Sequence, residues 1–155
     1  MEIEFRESRV DAGPGGDLVA AMRAEMADVY AGLELDGSAM PRAGPAEMGP
    51  PHGAFIVGWS GEKPVCCGGF KRLPDGGCEI KRMFVLPVVR GRGVARALLR
   101  ELERRARQRG YAVARLDTGP RQPHARRLYE SEGYAPIENF NANPVATFFG
   151  EKSLA

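Results

Sequence analysis

The run Arg90-Gly91-Arg92-Gly93-Val94-Ala95 joins a strand-like segment to a long helical one, and it limits the chain to folds that seat a helix N-terminus at the end of a strand. Upstream, Glu79 to Leu86 is rich in β-formers, and Pro87 lacks the amide that would continue a ladder. Downstream, Val94, Ala95, Leu98, Leu99, Leu102 and Ala106 recur at helical spacing, with Arg96, Arg100, Glu103, Arg104 and Arg107 on the other face. The spacing predicts a helix running to about Gly110. The first amides of such a helix have no partner within it, and its dipole is positive there, so a phosphate satisfies both. Gly91 and Gly93 let that anion approach the main chain.

A second run, Gln122-Pro123-His124-Ala125-Arg126-Arg127-Leu128-Tyr129-Glu130-Ser131-Glu132-Gly133-Tyr134, predicts a short helix stopped by Gly133. Ala125, Leu128 and Tyr129 lie three and four residues apart, on one inward face. By itself Tyr129 is equally a core tyrosine with its hydroxyl tied to the backbone.

The two runs, in this order, resemble the GNAT superfamily of N-acetyltransferases. Arg90, Gly93 and Ala95 match its Q/R-x-x-G-x-G/A signature, and the second run matches N-x-x-A-x-x-L-Y-x-x-x-G-F/Y, with Gln122 standing where Asn is usual. The resemblance is clear from about Glu79 to Tyr134. It implies an α+β fold with a mixed central sheet, flanking helices, and two parallel strands that splay apart to admit the pantetheine arm of acetyl-CoA. Those strands would be Glu79 to Leu86 and Val113 to Thr118. Residues Arg90, Gly91, Arg92, Gly93, Val94, Ala95 and Arg96 would cradle the pyrophosphate. Main-chain groups of Met83, Phe84 and Val85 would pair with the arm as another strand does, Gln122 would offer it a carboxamide, and Tyr129 would protonate the departing thiolate. Glu79 and Asp117 both occupy positions where family members place a carboxylate base, and the choice between them stays open. A backbone N–H, that of Val85, is a candidate to hold the thioester carbonyl.

The expected reaction is direct transfer of acetyl from acetyl-CoA to a primary amine. The alternative is a non-catalytic acyl-CoA-binding or regulatory domain using the same cradle. The resemblance also allows a homodimer. No metal is expected, since no histidine and carboxylate cluster has ligand spacing; His124 reads as a surface residue and His52 as the end of a loop that could reach substrate. The chain lacks a Walker loop, a dinucleotide fingerprint and a G-x-S-x-G elbow.

At 155 residues and 43% hydrophobic, one domain spanning residues 1–155 is expected. No apolar run is long enough to span a membrane, and Met1-Glu2-Ile3-Glu4 lacks the features of a signal peptide, so a cytoplasmic protein is expected. Cys66, Cys67 and Cys78 read as reduced and buried. Net charge is only +2, which argues against a nucleic-acid partner. Basic residues nevertheless crowd between Lys81 and Arg127, where Glu101, Glu103 and Asp117 are the acids. Most of those arginines read as a solvated helix face, with Glu101 paired to Arg105 and Glu103 to Arg107.

The remaining pattern predicts a strand over 3–10, a helix over 16–33, a Gly/Pro-rich loop over 36–52 that is functional or mobile, a hairpin of 54–59 and 65–73, and terminal strands over 136–140 and 145–151. An acceptor pocket should draw on the 36–52 loop, Tyr30, Trp59 and Phe140-Asn141-Ala142-Asn143. The acids of the N-terminal half slightly favour a cationic amine.

Overall fold

The computed structural model describes residues 1–155. A mixed seven-stranded sheet carries β1 (Glu4–Glu7), β2 (Ala54–Ser60), β3 (Lys63–Arg72), β4 (Cys78–Val85), β5 (Val113–Thr118), β6 (Ala135–Pro136) and β7 (Phe148–Ser153) in the order β1-β2-β3-β4-β5-β7-β6. Three helices flank it: α1 (Gly13–Val29), α2 (Val94–Gln108) and α3 (Pro123–Ser131). One face packs on α2, where Leu98, Leu99 and Leu102 meet Phe70, Leu116 and Tyr134. The other packs on α1, where Leu18, Val19 and Met22 meet Phe55, Val57 and Phe84.

The order of elements is the expected one, while several boundaries differ. Helix α1 starts at Gly13 rather than 16 because Pro14 fits its first turn, and it stops at Val29 because Ala31 and Gly32 turn to positive φ, +50° and +89°. The expected terminal strands shrink to Ala135–Pro136 and shift to Phe148–Ser153. Asparagine side chains cause this: Asn139 Oδ1 accepts from the amides of Asn141 and Ala142, Asn141 Oδ1 from that of Asn143, and Asn143 Oδ1 from those of Val145 and Ala146. Amides bound to side chains cannot join a ladder. The 36–52 loop is anchored by buried Met48 and Ala43, and the Arg42 carbonyl accepts from Lys71 Nζ at 2.7 Å.

Of the two ion pairs expected on α2, Glu101 meets Arg105 at 2.7 Å, but Glu103 does not meet Arg107. Glu103 points inward, accepting from Tyr134 Oη at 2.8 Å and Lys152 Nζ at 3.0 Å, while Arg107 donates to the Leu154 carbonyl. The helical period puts Glu103 beside Leu102 and Ala106, so β7 and Tyr134 decide its partner. Glu103→Ala should cost about 2–3 kcal/mol by stranding Tyr134 and Lys152, lowering Tm by roughly 5–10 °C. Glu101→Ala, on the rim, should cost under about 1 kcal/mol. Paired thermal melts that place the two variants together would refute the inward role.

Strands β4 and β5 form the one parallel pair, and they touch only at Cys78↔Ala114 and Glu79↔Arg115. Beyond that they diverge, since β5 continues along β7 through Thr118 while β4 stays with β3. The gap opens at the C-terminal ends of parallel strands, where open sheets commonly bind ligands.

Candidate active site

Two cavities meet across this gap. The larger, about 600 Å³, runs from the start of α2 to the splayed strands. Met83, Phe84 and Val85 form one wall, with Arg90, Gly91 and Gly93 of the loop and Val94, Ala95 and Arg96 of α2 at the mouth. Gln122 and Tyr129 face them from α3. Of the residues expected to cradle an anion, Arg92 alone is off the wall, exposed to solvent. Helix α1 adds Met22, Glu25 and Met26.

The cradle is made by backbone conformation. Gly91 and Gly93 both have φ of +78°, and Gly93 is the cap of α2 with no side-chain partner. A Cβ at either would meet no atom within 4 Å, so the positive φ selects glycine here. The first bond of α2 runs from the Ala97 amide to the Gly93 carbonyl, leaving the preceding amides without helical partners. The Arg90 guanidinium is already engaged: it donates to the Val85 carbonyl at 2.9 Å and Glu25 at 2.8 Å, and lies 5.6 Å from the Phe84 ring centre. It ties the loop to β4 and α1. Arg96 likewise bonds Glu132 at 2.6 Å.

Val85 has the backbone orientation needed to face the gap. The Leu86 amide donates across to Val65 at 2.9 Å, and amides alternate in an antiparallel ladder, so the Val85 amide turns toward the splayed side.

The smaller cavity, about 130 Å³, lies beneath the 33–41 segment and shares Met22, Met26, Met83, Gln122 and Tyr129 with the first. Tyr129 is nine-tenths buried, yet its hydroxyl makes no hydrogen bond within the protein, unlike that of Tyr134. Burial, reinforced by the nearby Asp117 charge, raises the Tyr129 hydroxyl well above the usual tyrosine value, so it holds its proton across neutral pH. Gln122 Oε1 accepts from Tyr30 Oη at 3.1 Å and Thr118 Oγ1 at 3.4 Å, which leaves its amide nitrogen free. Tyr30 also packs against Gly119, where any Cβ would collide with its ring.

Asp117 lines the smaller cavity, whereas Glu79 is fully buried behind it. Asn141 Nδ2 joins them, donating to Glu79 Oε2 at 2.6 Å and Asp117 Oδ2 at 2.7 Å; Asn143 Nδ2 adds a bond to the same Asp117 oxygen at 3.1 Å. Asp117 Oδ1 stays free. Glu79 Oε2 also accepts from Lys81 at 3.2 Å, and Glu79 Oε1 is buried without a hydrogen-bond partner. The alternation Asn139, Asn141, Asn143 was the available signal for this bridge, but only the fold shows what it spans.

Tyr30 and Asn143 line the smaller cavity as expected; Trp59 does not, lying under Arg6 with the guanidinium 5.0 Å from its ring centre. His52 lines neither cavity and offers its carbonyl to Tyr111, while His124 sits on the wall of the larger one. Burial raises Cys66 to about 11 and Cys78 to about 12, which keeps them as inert thiols.

Residues 19–134 match the model of the GNAT acetyltransferase family. The chain belongs to the GNAT family. It is 36% identical over 104 residues to an IAA acetyltransferase of Azospirillum brasilense, covering 64% of this chain and 67% of that one. It is 32% identical over 107 residues to the uncharacterized N-acetyltransferase YsnE of Bacillus subtilis, covering 66% and 71%. An uncharacterized N-acetyltransferase of Schizosaccharomyces pombe, 35% identical, is spanned over 62% of its length. Among solved structures, PaiA N-acetyltransferase of Thermoplasma acidophilum in complex with coenzyme A shares the fold at TM-score 0.69 and 16% identity, each chain covered to 99%. The GNAT fold explains the splayed pair, and the chain is an acyl-CoA-dependent acetyltransferase. No helix is long and apolar enough to cross a membrane.

Proposed function

We propose that this GNAT enzyme transfers the acetyl group of acetyl-CoA to a primary amine of a small acceptor by direct attack. The observation that carries the reading is the unbonded Tyr129 hydroxyl on the wall shared by the two cavities. The larger cavity suits acetyl-CoA: unpaired amides and a helix dipole meet the pyrophosphate, and the open edge of β4 meets the pantetheine. The thioester supplies an activated acyl carbon. Attack by the amine nitrogen forms the C–N bond as the C–S bond breaks.

Each end of that exchange has a protein group. Asp117 takes the proton of the incoming ammonium through its free Oδ1, and the Val85 amide supports charge on the carbonyl oxygen. Tyr129 gives its proton to the departing sulfur and is reprotonated by the second proton that the nitrogen sheds as the amide forms. Glu79, without cavity access, acts on Asp117 through Asn141.

Asp117→Asn should therefore lower kcat/KM by about 100-fold near neutral pH and leave a profile that rises only with the acceptor amine's own titration. The deficit should shrink as pH approaches the acceptor's own pKa, because more amine arrives neutral. Glu79→Gln should keep the wild-type profile. If Asp117→Asn keeps the wild-type profile and Glu79→Gln loses it, the assignment reverses; if both keep it, neither carboxylate is the base.

A further inference from the structure

We infer that the acceptor carries a carboxylate beside its amine, in the manner of a small amino acid, and that Arg82 reads it. This rests on the amine-acetyltransferase reading and adds the substrate class. The register carries the argument. Strand β4 pairs Lys81 with Gly69 and Phe84 with Cys67, so β4 spends one more residue than β3 across that interval, a bulge at Arg82 and Met83 opposite Gly68. In a regular strand consecutive side chains point to opposite faces. Here Ile80 and Met83 both pack with the α2-side core, although Met83 also borders the smaller cavity. Of the two residues between them, Arg82 reaches Asp36 beside Arg23 of α1, while Lys81 reaches Glu79. Arg82 has a φ of +59°, an uncommon conformation for a side-chain-bearing residue and one that costs about 1–3 kcal/mol. The fold holds an arginine, rather than a glycine, at that strained position.

The Arg82 side chain is only 7% exposed. Its one side-chain partner is Asp36, 3.2 Å from Nη2, and Asp36 is more closely held by Arg23 at 2.7 Å. A guanidinium has five donors in a planar fork, so Arg82 retains several for the cavity. Met22, Met26, Leu35 and Ile80 supply an apolar part of the wall, Tyr30, Thr118, Gln122 and Asn143 a polar part, and the acid is Asp117. Lys81 is held by Glu79 at 3.2 Å, so Arg82 is the cation with donors left for the acceptor, and Asp117 is the carboxylate. A cationic amine without an anion, favoured by the acidic composition of the N-terminal half, leaves the spare donors of Arg82 unmet. An amino acid brings its carboxylate to Arg82 and its amine to Asp117. A short apolar side chain fits the methionine-rich remainder.

The test compares L-leucine with L-leucinamide and L-methionine with L-methioninamide, following free CoA thiol. At a given pH the amides hold more neutral amine, so intrinsic reactivity favours them. Wild type should nonetheless prefer the acids by about tenfold or more in kcat/KM. Arg82→Gln should bring that ratio close to one, mainly through KM for the acids, and Arg82→Lys should restore part of it; retained stabilisation by acetyl-CoA checks folding. On wild type alone, 4-methylpentanoate should compete with the amine acceptor where 4-methylpentanamide does not. Amides used as well as the acids, or equal inhibition by the neutral analogue, overturns the inference while leaving the acetyltransferase reading in place. Release of CoA with no amine of any kind overturns both.

Discussion

Gly93→Asp should remove nearly all of the thermal stabilisation that acetyl-CoA gives the wild-type protein. A ligand at about 100 times its Kd adds roughly 2.7 kcal/mol, and for a chain of this size that is a rise in Tm of about 5–10 °C. The variant should bind about 100-fold more weakly and show a shift under roughly 2 °C. Two effects combine at this position. Gly93 caps α2 at φ +78°, where a side chain strains the backbone, and aspartate adds a negative charge at the mouth of an anion site. Open space around the built Cβ excludes collision with the protein as the cause. Gly93→Asn separates the terms, keeping the conformational demand without the charge, and should lose less. Differential scanning fluorimetry across an acetyl-CoA titration reads both; a full shift in folded Gly93→Asp removes the cradle from cofactor binding.

Tyr129→Phe should fold, bind acetyl-CoA normally, and lose about 100-fold or more in kcat with KM for acetyl-CoA little changed. The hydroxyl has no hydrogen bond within the protein, so its deletion strands no buried partner and leaves the ring against Tyr134, 6.1 Å between centres. Its contribution arises only as charge develops on sulfur, the behaviour expected of a group acting in the transition state. Because burial and Asp117 hold the phenol far above the ordinary tyrosine value, the wild-type rate should show no falling limb from Tyr129 through neutral and mildly alkaline pH. Steady-state kinetics at several pH values decides it. Unchanged kcat in Tyr129→Phe would make Tyr129 a packing residue and leave the thiolate to be protonated by water.

The contrast between Tyr129 and Tyr134 shows how far local pattern reaches. Tyr129 reads as inward-facing from its helical spacing, and both tyrosines are buried. Nothing within five residues of either reveals that Glu103, on another helix, ties down the Tyr134 hydroxyl while Tyr129 is left free. Arg90 teaches the same lesson in reverse. Its place in the signature suggested an anion ligand, whereas Glu25 and the Val85 carbonyl make it a clamp between α1, β4 and the loop.

By itself the sequence determined the succession of elements, the strand-glycine-helix cradle and the short Tyr129 helix, because these rest on hydrophobic period, proline and glycine stereochemistry, and hydrogen bonds close in the chain. That β4 and β5 would be the strands to part came from the resemblance to GNAT proteins, and no residue pattern in the two strands states it. Only the tertiary structure decided which carboxylate lines the smaller cavity, that Asn141 bridges Glu79 and Asp117 across 62 and 24 residues of chain, and that a bulge turns Lys81 and Arg82 to one side. Those facts depend on the register between distant strands. A one-residue slip in register changes every facing side chain while leaving each segment's local propensity untouched.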